Sequence, residues 1–256
     1  MSEKIDLAVK LFHEKKYKEC IDAFSSVLET EPDNADVYNN MAVAYYNQGE
    51  FDQAEKFFLK SIELDPQLVQ PYISLSDLYY KKGDIAHAIG TLERGTYENT
   101  DNMLLAHLLA RVYIEDQRWD MAIDELEKVL SEQPENYDAY YDMGRVCFEM
   151  GDYEGAIANF ENVIEYKENN EMLYFHLAQA YECNNEVDKA ISNYLKAIAV
   201  NDKFHPAYKK VGIMFLTRND YEDALEYFNS YIAFDVPQEE KDSVGKLIER
   251  IKNVNV

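Results

Sequence analysis

The feature that most constrains this chain is a recurrence every 34 residues. Set out in rows of 34 from Met1, the sequence places a small residue eighth in every row: Ala8, Ala42, Ser76, Ala110, Gly144, Ala178 and Gly212. The twentieth column reads Cys20, Ala54, Ala88, Ala122, Ala156, Ala190 and Ala224. If about one residue in five is Ala, Gly or Ser, one such column of seven arises by chance about once in 10⁵. Allowing about 34 choices of phase leaves that well below one per cent, and a second column agrees with the first. Such a chain folds as a stack of like units, each burying its apolar face against the next.

The other columns give the physical content of the unit. Large residues fill column 24 (Phe24, Phe58, Leu92, Leu126, Phe160, Tyr194, Phe228) and column 11, where Cys147 is the one small member. Apolar positions fall at 4, 7, 8 and 11, then at 17, 20, 24, 27 and 28. Both sets have helical spacing, so each row encodes two amphipathic helices. Small residues at columns 8 and 20 let the two backbones approach, and their large neighbours fill the space beside them. No run alternates as a half-buried strand does, so no β-structure is expected.

Between the helices, column 15 holds Gly49, Gly83, Gly151, Asn185 and Asn219 in five of the seven rows. These residues accept the left-handed conformation that closes a helix. Column 16 follows with Glu50, Asp84, Asp152, Glu186 and Asp220, acids suited to capping the next helix or to its positive end. Pro32, Pro66 and Pro134 stop the second helix, and Asn34, Asn102, Asn136 and Asn170 stand where the next N-cap is needed.

Row two shows Tyr38, Met41, Ala42, Tyr45, Gly49, Ala54, Phe58 and Pro66. This pattern resembles the tetratricopeptide repeat, and the resemblance covers residues 1–238 as seven gapless rows: 1–34, 35–68, 69–102, 103–136, 137–170, 171–204 and 205–238. The closing Pro is replaced by Thr100, Glu168, Asp202 and Val236, where a less sharp turn is expected, and row one has Lys4 in place of the usual aromatic. The tail, 239–256, is no eighth row. Its Val244, Leu247, Ile248 and Ile251 have the i, i+3, i+4, i+7 spacing of one amphipathic helix, expected to cap row seven; docking onto another protein is the alternative. The fold class is therefore all-α. The resemblance implies a right-handed α-α superhelix, a solenoid of seven helix-turn-helix repeats plus a C-terminal capping helix.

The resemblance also implies a concave groove lined by columns 2, 5, 6, 9, 12 and 13 of each first helix, where a peptide or protein partner binds. Chaperone-docking members hold a C-terminal carboxylate there with converging Lys, Arg and Asn. Here Ile5, Val9, Asn40, Gln70 and Ser74 match that clamp once in five, as do Tyr141, Arg145, His176, Pro206 and Lys210. Too few cations converge to neutralise a carboxylate, so a chaperone-tail clamp is excluded. The candidate partner-binding residues come from the groove columns of rows four to six. They are His107, Arg111 and Glu115; Asp138, Tyr141, Asp142, Arg145, Phe148 and Glu149; and Met172, Phe175, His176 and Gln179. Acids beside aromatics suit a basic partner with apolar anchors. The same acids could instead pair with Arg111 and Arg145 on a solvated face that serves solubility.

Charge narrows the partner further. The 256 residues carry a net charge of −24, with rows four and five the most acidic at −5 and −6. Such a field repels nucleic acid and anionic membranes. No apolar run reaches the ~18 residues of a spanning helix, and charges interrupt Met1–Lys10 as a signal peptide. Three Cys give neither a disulfide framework nor a zinc pattern. The expectation is a soluble, cytoplasmic chain without cofactor or metal.

Catalysis finds little support in the sequence. His107, Arg111 and Glu115 lie four apart on one helix face and could serve as acid and base, but salt bridges are the plainer reading. His176 and Cys183 are two ligands where a structural zinc site needs four. The reading is a non-catalytic scaffold or adaptor. The competing class is a self-assembling homo-oligomer, with a regulatory arm of a larger enzyme complex behind it.

Overall fold

The computed structural model describes residues 2–254. It contains fifteen α-helices and no strand among the described residues. The chain divides into two compact units between Pro134 and Glu135.

The first unit holds α1 (Ser2–His13), α2 (Tyr17–Leu28), α3 (Ala35–Gln48), α4 (Phe51–Leu64), α5 (Val69–Lys81), α6 (Ile85–Glu98), α7 (Met103–Glu115) and α8 (Trp119–Glu132). The second holds α9 (Tyr137–Glu149), α10 (Tyr153–Ile164), α11 (Glu171–Cys183), α12 (Val187–Val200), α13 (His205–Thr217), α14 (Tyr221–Ala233) and α15 (Gln238–Val254). Within each unit every helix packs on the next along the chain, the tightest pairs being those within one row.

The turns inside the pairs share one geometry. At every one the column-16 N–H reaches back to the column-11 carbonyl, from Lys16 to Leu11 (2.9 Å) through Asp220 to Phe215 (3.0 Å). This six-to-one bond requires a left-handed residue just before it. Gly49, Gly83, Gly151, Asn185 and Asn219 supply it with φ between 62° and 85°. Lys15 and Gln117 hold the same place at φ 59°, a conformation their residue types do not favour.

Asn34, Asn102, Asn136 and Asn170 each accept a hydrogen bond from the backbone N–H three residues on, at 3.1 Å in every case. The column-16 acids divide. Asp84 and Asp152 cap their helices, whereas Glu50, Glu186 and Asp220 make no side-chain cap. The closing Pro is not what ends the second helix: α6 and α12 stop at Glu98 and Val200, in the same column as α4 and α8.

Columns 8 and 20 lie in the core of both units, with Ala54, Ala88, Ala122, Ala156, Ala190 and Ala224 fully buried. Column 24 fills the space between. A Cβ on Gly144 would stand 2.7 Å from ring carbons of Phe160, and one on Gly212 would stand 2.6 Å from Phe228. In the second unit α15 lays Val244, Ile248 and Ile251 against Phe228, Tyr231 and Val236. No helix among the described residues is long and apolar enough to cross a membrane.

Candidate functional site

In the second unit, α9 and α11 carry most of the candidate residues, and the structure sorts them into those that satisfy one another and those left facing outward. The Tyr141 hydroxyl and His176 Nδ1 share a hydrogen bond of 2.8 Å between α9 and α11. The two rings lie 5.7 Å apart, with Phe160 of α10 at 5.8 Å from Tyr141 and 6.1 Å from His176. Burial, helped by the positive charge of Arg145, depresses the His176 pKa from 6.5 to about 4, so the ring is neutral at pH 7.

Asp142 is only 5% exposed and meets Arg145 one turn on at 3.4 Å. Asp138 pairs with Lys167 from the loop after α10. Glu149 is exposed and forms no ion pair among the described residues.

Of the candidate acids on α9, only Glu149 is both exposed and without an ion pair among the described residues. Asp142 is held inside the fold, because α9 presents that face to packing rather than to water, and Asp138 already has a cation. Tyr141 is half-buried with its hydroxyl engaged, so it is no free anchor. Phe175 is half-buried against Tyr194 (5.4 Å) and Phe204 (5.3 Å). Phe148 lies against Tyr153 at 5.6 Å. Met172 remains 40% exposed, and Gln179 is half-buried.

The remaining three candidates, His107, Arg111 and Glu115, sit on α7 in the first unit. His107 is half-buried, and the other two are exposed. Among the described residues no three His, Cys, Asp or Glu side chains gather as a metal site would need. The cysteines are free thiols, with Cys20 buried, Cys147 half-buried and Cys183 exposed.

One arrangement escaped sequence reasoning. Tyr194 stands in the column of core phenylalanines and is fully buried, yet its hydroxyl donates to Glu182 (2.5 Å), which also holds Lys210 of α13 at 3.0 Å. Burial and the neighbouring carboxylate raise the Tyr194 pKa, fixing the hydroxyl as a donor. The only signal was a tyrosine where four other rows have phenylalanine.

Tetratricopeptide repeat models match residues 35–68, 113–158 and 175–239, and a TPR repeat model matches 10–49 and 144–184. The chain is a tetratricopeptide repeat protein. No curated protein matches it. Solved structures show the same fold. The C-terminal part of a TPR repeat-containing protein from Cytophaga hutchinsonii matches 94% of this chain and 98% of its own, at 19% identity and a TM-score of 0.77. A tetratricopeptide repeat protein from Parabacteroides merdae covers 97% and 98% respectively, at 16% identity and 0.66. YrrB, described as a TPR protein with an unusual peptide-binding site, covers 73% of this chain and 96% of its own, at 21% identity and 0.64. Repeats of this family give the chain the form of an interaction scaffold.

Proposed function

We propose that this protein is a non-catalytic scaffold whose second unit holds a partner's peptide segment against α9 and α11. The observation that carries the reading is the sorting of polar groups there. Asp138, Tyr141, Asp142, Arg145 and His176 are engaged within the protein, which leaves Met172 exposed and Phe148 and Phe175 partly so, with Glu149 uncompensated. Apolar anchors beside one free carboxylate suit a segment with a few large apolar side chains and a Lys or Arg. A peptide-binding site in YrrB, a structure of the same fold, supports the class of partner.

The test begins with affinity capture from the source organism and identification of the retained protein by mass spectrometry. Its binding segment is then measured against two variants at two salt concentrations. Glu149→Lys should slow association and lose its effect as salt rises, because an exposed charge is screened within ~8–10 Å. Met172→Ala should speed release at either salt concentration, by about 1–2 kcal/mol. Binding unchanged in both variants would remove the site from α9 and α11.

A further inference from the structure

One furrow in the first unit has none of the candidate residues in its lining. It runs along α4, with Ser25 and Leu28 of α2 and Tyr38 and Met41 of α3 contributing to its lining, and has a volume of about 960 Å³. A second furrow in the same unit, along α8, is half that size at about 480 Å³. The repeat makes the two comparable position by position. In column 25 the α8 furrow has Glu127, as α6 and α10 have Glu93 and Glu161, which accept hydrogen bonds from Tyr113 and Tyr181. At the same column α4 has Leu59, 44% exposed, and Tyr79 turns instead to Glu55. With Leu28 and Phe57 half-buried beside it, an acidic strip has become an apolar one.

The charges of this furrow are almost all accounted for. Lys82 holds Asp52 at 3.3 Å and Glu55 at 3.1 Å, and Lys60 meets Glu63 at 3.1 Å. Lys56, exposed between them, forms no ion pair among the described residues. The unmatched charge is thus a single ammonium beside an apolar stripe, in a protein otherwise strongly negative. The lining stretch of α4, Asp52 to Glu63, is about 17 Å long, or three helical turns.

We propose that this furrow docks an amphipathic helix of about three turns, which presents apolar side chains to Leu28, Phe57 and Leu59 and one carboxylate to Lys56. The rest of that helix is neutral or basic, because the net charge of −24 repels further acids. The geometry is that of a helix laid in a groove, with anchors at i, i+3 or i+4, and i+7. This surface is lined by α2, α3 and α4, and the proposal stands whether or not the peptide reading on α9 and α11 holds.

A phage library of a stable helical scaffold, with one face of twelve residues randomised, provides the probe against the full chain. Enriched clones should carry Leu, Ile, Met or Phe at that spacing and one Asp or Glu. Leu59→Glu should weaken their binding about tenfold, the scale of one lost anchor. Lys56→Glu should weaken it about threefold, and changing the clone's carboxylate to Lys should restore it. Both side chains are exposed, so thermal melts of the two variants should match the parent; Leu59→Gln serves if Leu59→Glu does not fold. The proposal is overturned if no clone enriches over the unrandomised scaffold, or if enriched clones bind the Leu59 variants undiminished. Clones that lose binding to Met172→Ala instead would place their site on α11, overturning this proposal and leaving the other intact.

Discussion

The hairpins α3–α4 and α9–α10 follow one plan and finish it differently. Each begins at an Asn cap, Asn34 or Asn136, turns on a left-handed glycine, Gly49 or Gly151, and places a phenylalanine at column 24. Column 8 of these hairpins is Ala42 in the first and Gly144, which Phe160 packs against, in the second. Without that methyl group Phe160 settles against the α9 backbone and comes within range of Tyr141 and His176. In α3–α4 the ring cluster is instead Phe57 with Tyr38 (5.9 Å) and Tyr45 (5.2 Å), on the side of the α4 furrow. One missing methyl therefore connects the core of the second unit to its candidate surface, whereas the first unit directs its aromatics elsewhere.

The strongest way to break this comparison is to restore side-chain bulk. Gly144→Val should destabilise by about 3 kcal/mol in urea unfolding, since a branched side chain must displace a ring already at contact distance. Combining it with Phe160→Ala should recover part of that loss, because the two positions share one space. Ala42→Gly, the reverse change in α3–α4, should cost only about 1–2 kcal/mol, from helix propensity and one lost methyl. Equal responses at the two sites would mean that column 8 is merely small, with no difference between the hairpins.

The next effect is pH dependence, expected only where His176 joins the cluster. Burial depresses its pKa to about 4, against 6.5 in the unfolded chain. As pH falls below 6.5 the unfolded state takes up the proton first. Stability from this group is complete above pH 6.5 and is lost as pH drops toward 4, by about 2–3 kcal/mol in all. The corresponding cluster in α3–α4 is built of Tyr38, Tyr45 and Phe57 and contains no histidine. His176→Phe should flatten the pH 7 to pH 4.5 stability difference relative to the parent, whose carboxylates titrate equally in both proteins. An unchanged slope would show that His176 is solvated.

What could be read from the sequence followed from local chemistry. Helix pairing, the Asn caps and the glycine turns each depend on residues close together in the chain, and a period of 34 repeats the signal until it is unmistakable. The site was less legible because it depends on packing and on contacts between residues well separated along the chain. Nothing in the sequence near Asp142 says that α9 turns it inward, nor that Lys167, 29 residues on, meets Asp138. Tyr194 read as core filler, since a hydroxyl that finds Glu182 is invisible to a column of apolar residues. Among the column-16 acids, Asp caps and Glu does not, as the longer side chain fits the N-cap poorly. Nothing in the structure explains why Asp220 fails to cap.

The smallest expected effect concerns the turns themselves, and it sharpens the comparison by adding a third hairpin. Gly49 and Gly151 hold column 15 at φ 85° and 82°; in α7–α8 the same place is Gln117 at φ 59°. The six-to-one bond is present there all the same, from the Arg118 N–H to the Tyr113 carbonyl at 2.9 Å. Packing on both sides thus imposes a left-handed residue where the side chain opposes it, at a cost of about 1 kcal/mol. Gln117→Gly should remove that strain, less what the freer glycine loses in the unfolded chain, for a net gain of up to about 0.5 kcal/mol. Lys15→Gly, at φ 59° between α1 and α2, should gain about as much. Gly49→Ala should lose about 1 kcal/mol, although open space surrounds its Cβ position, because backbone conformation alone opposes it. Thermal melts of the three variants test the argument by sign: two rises and one fall. A fall for Gln117→Gly would mean that the side chain contributes more through its contacts than the backbone loses in the left-handed region, and that this turn is built on different terms from the glycine turns of α3–α4 and α9–α10.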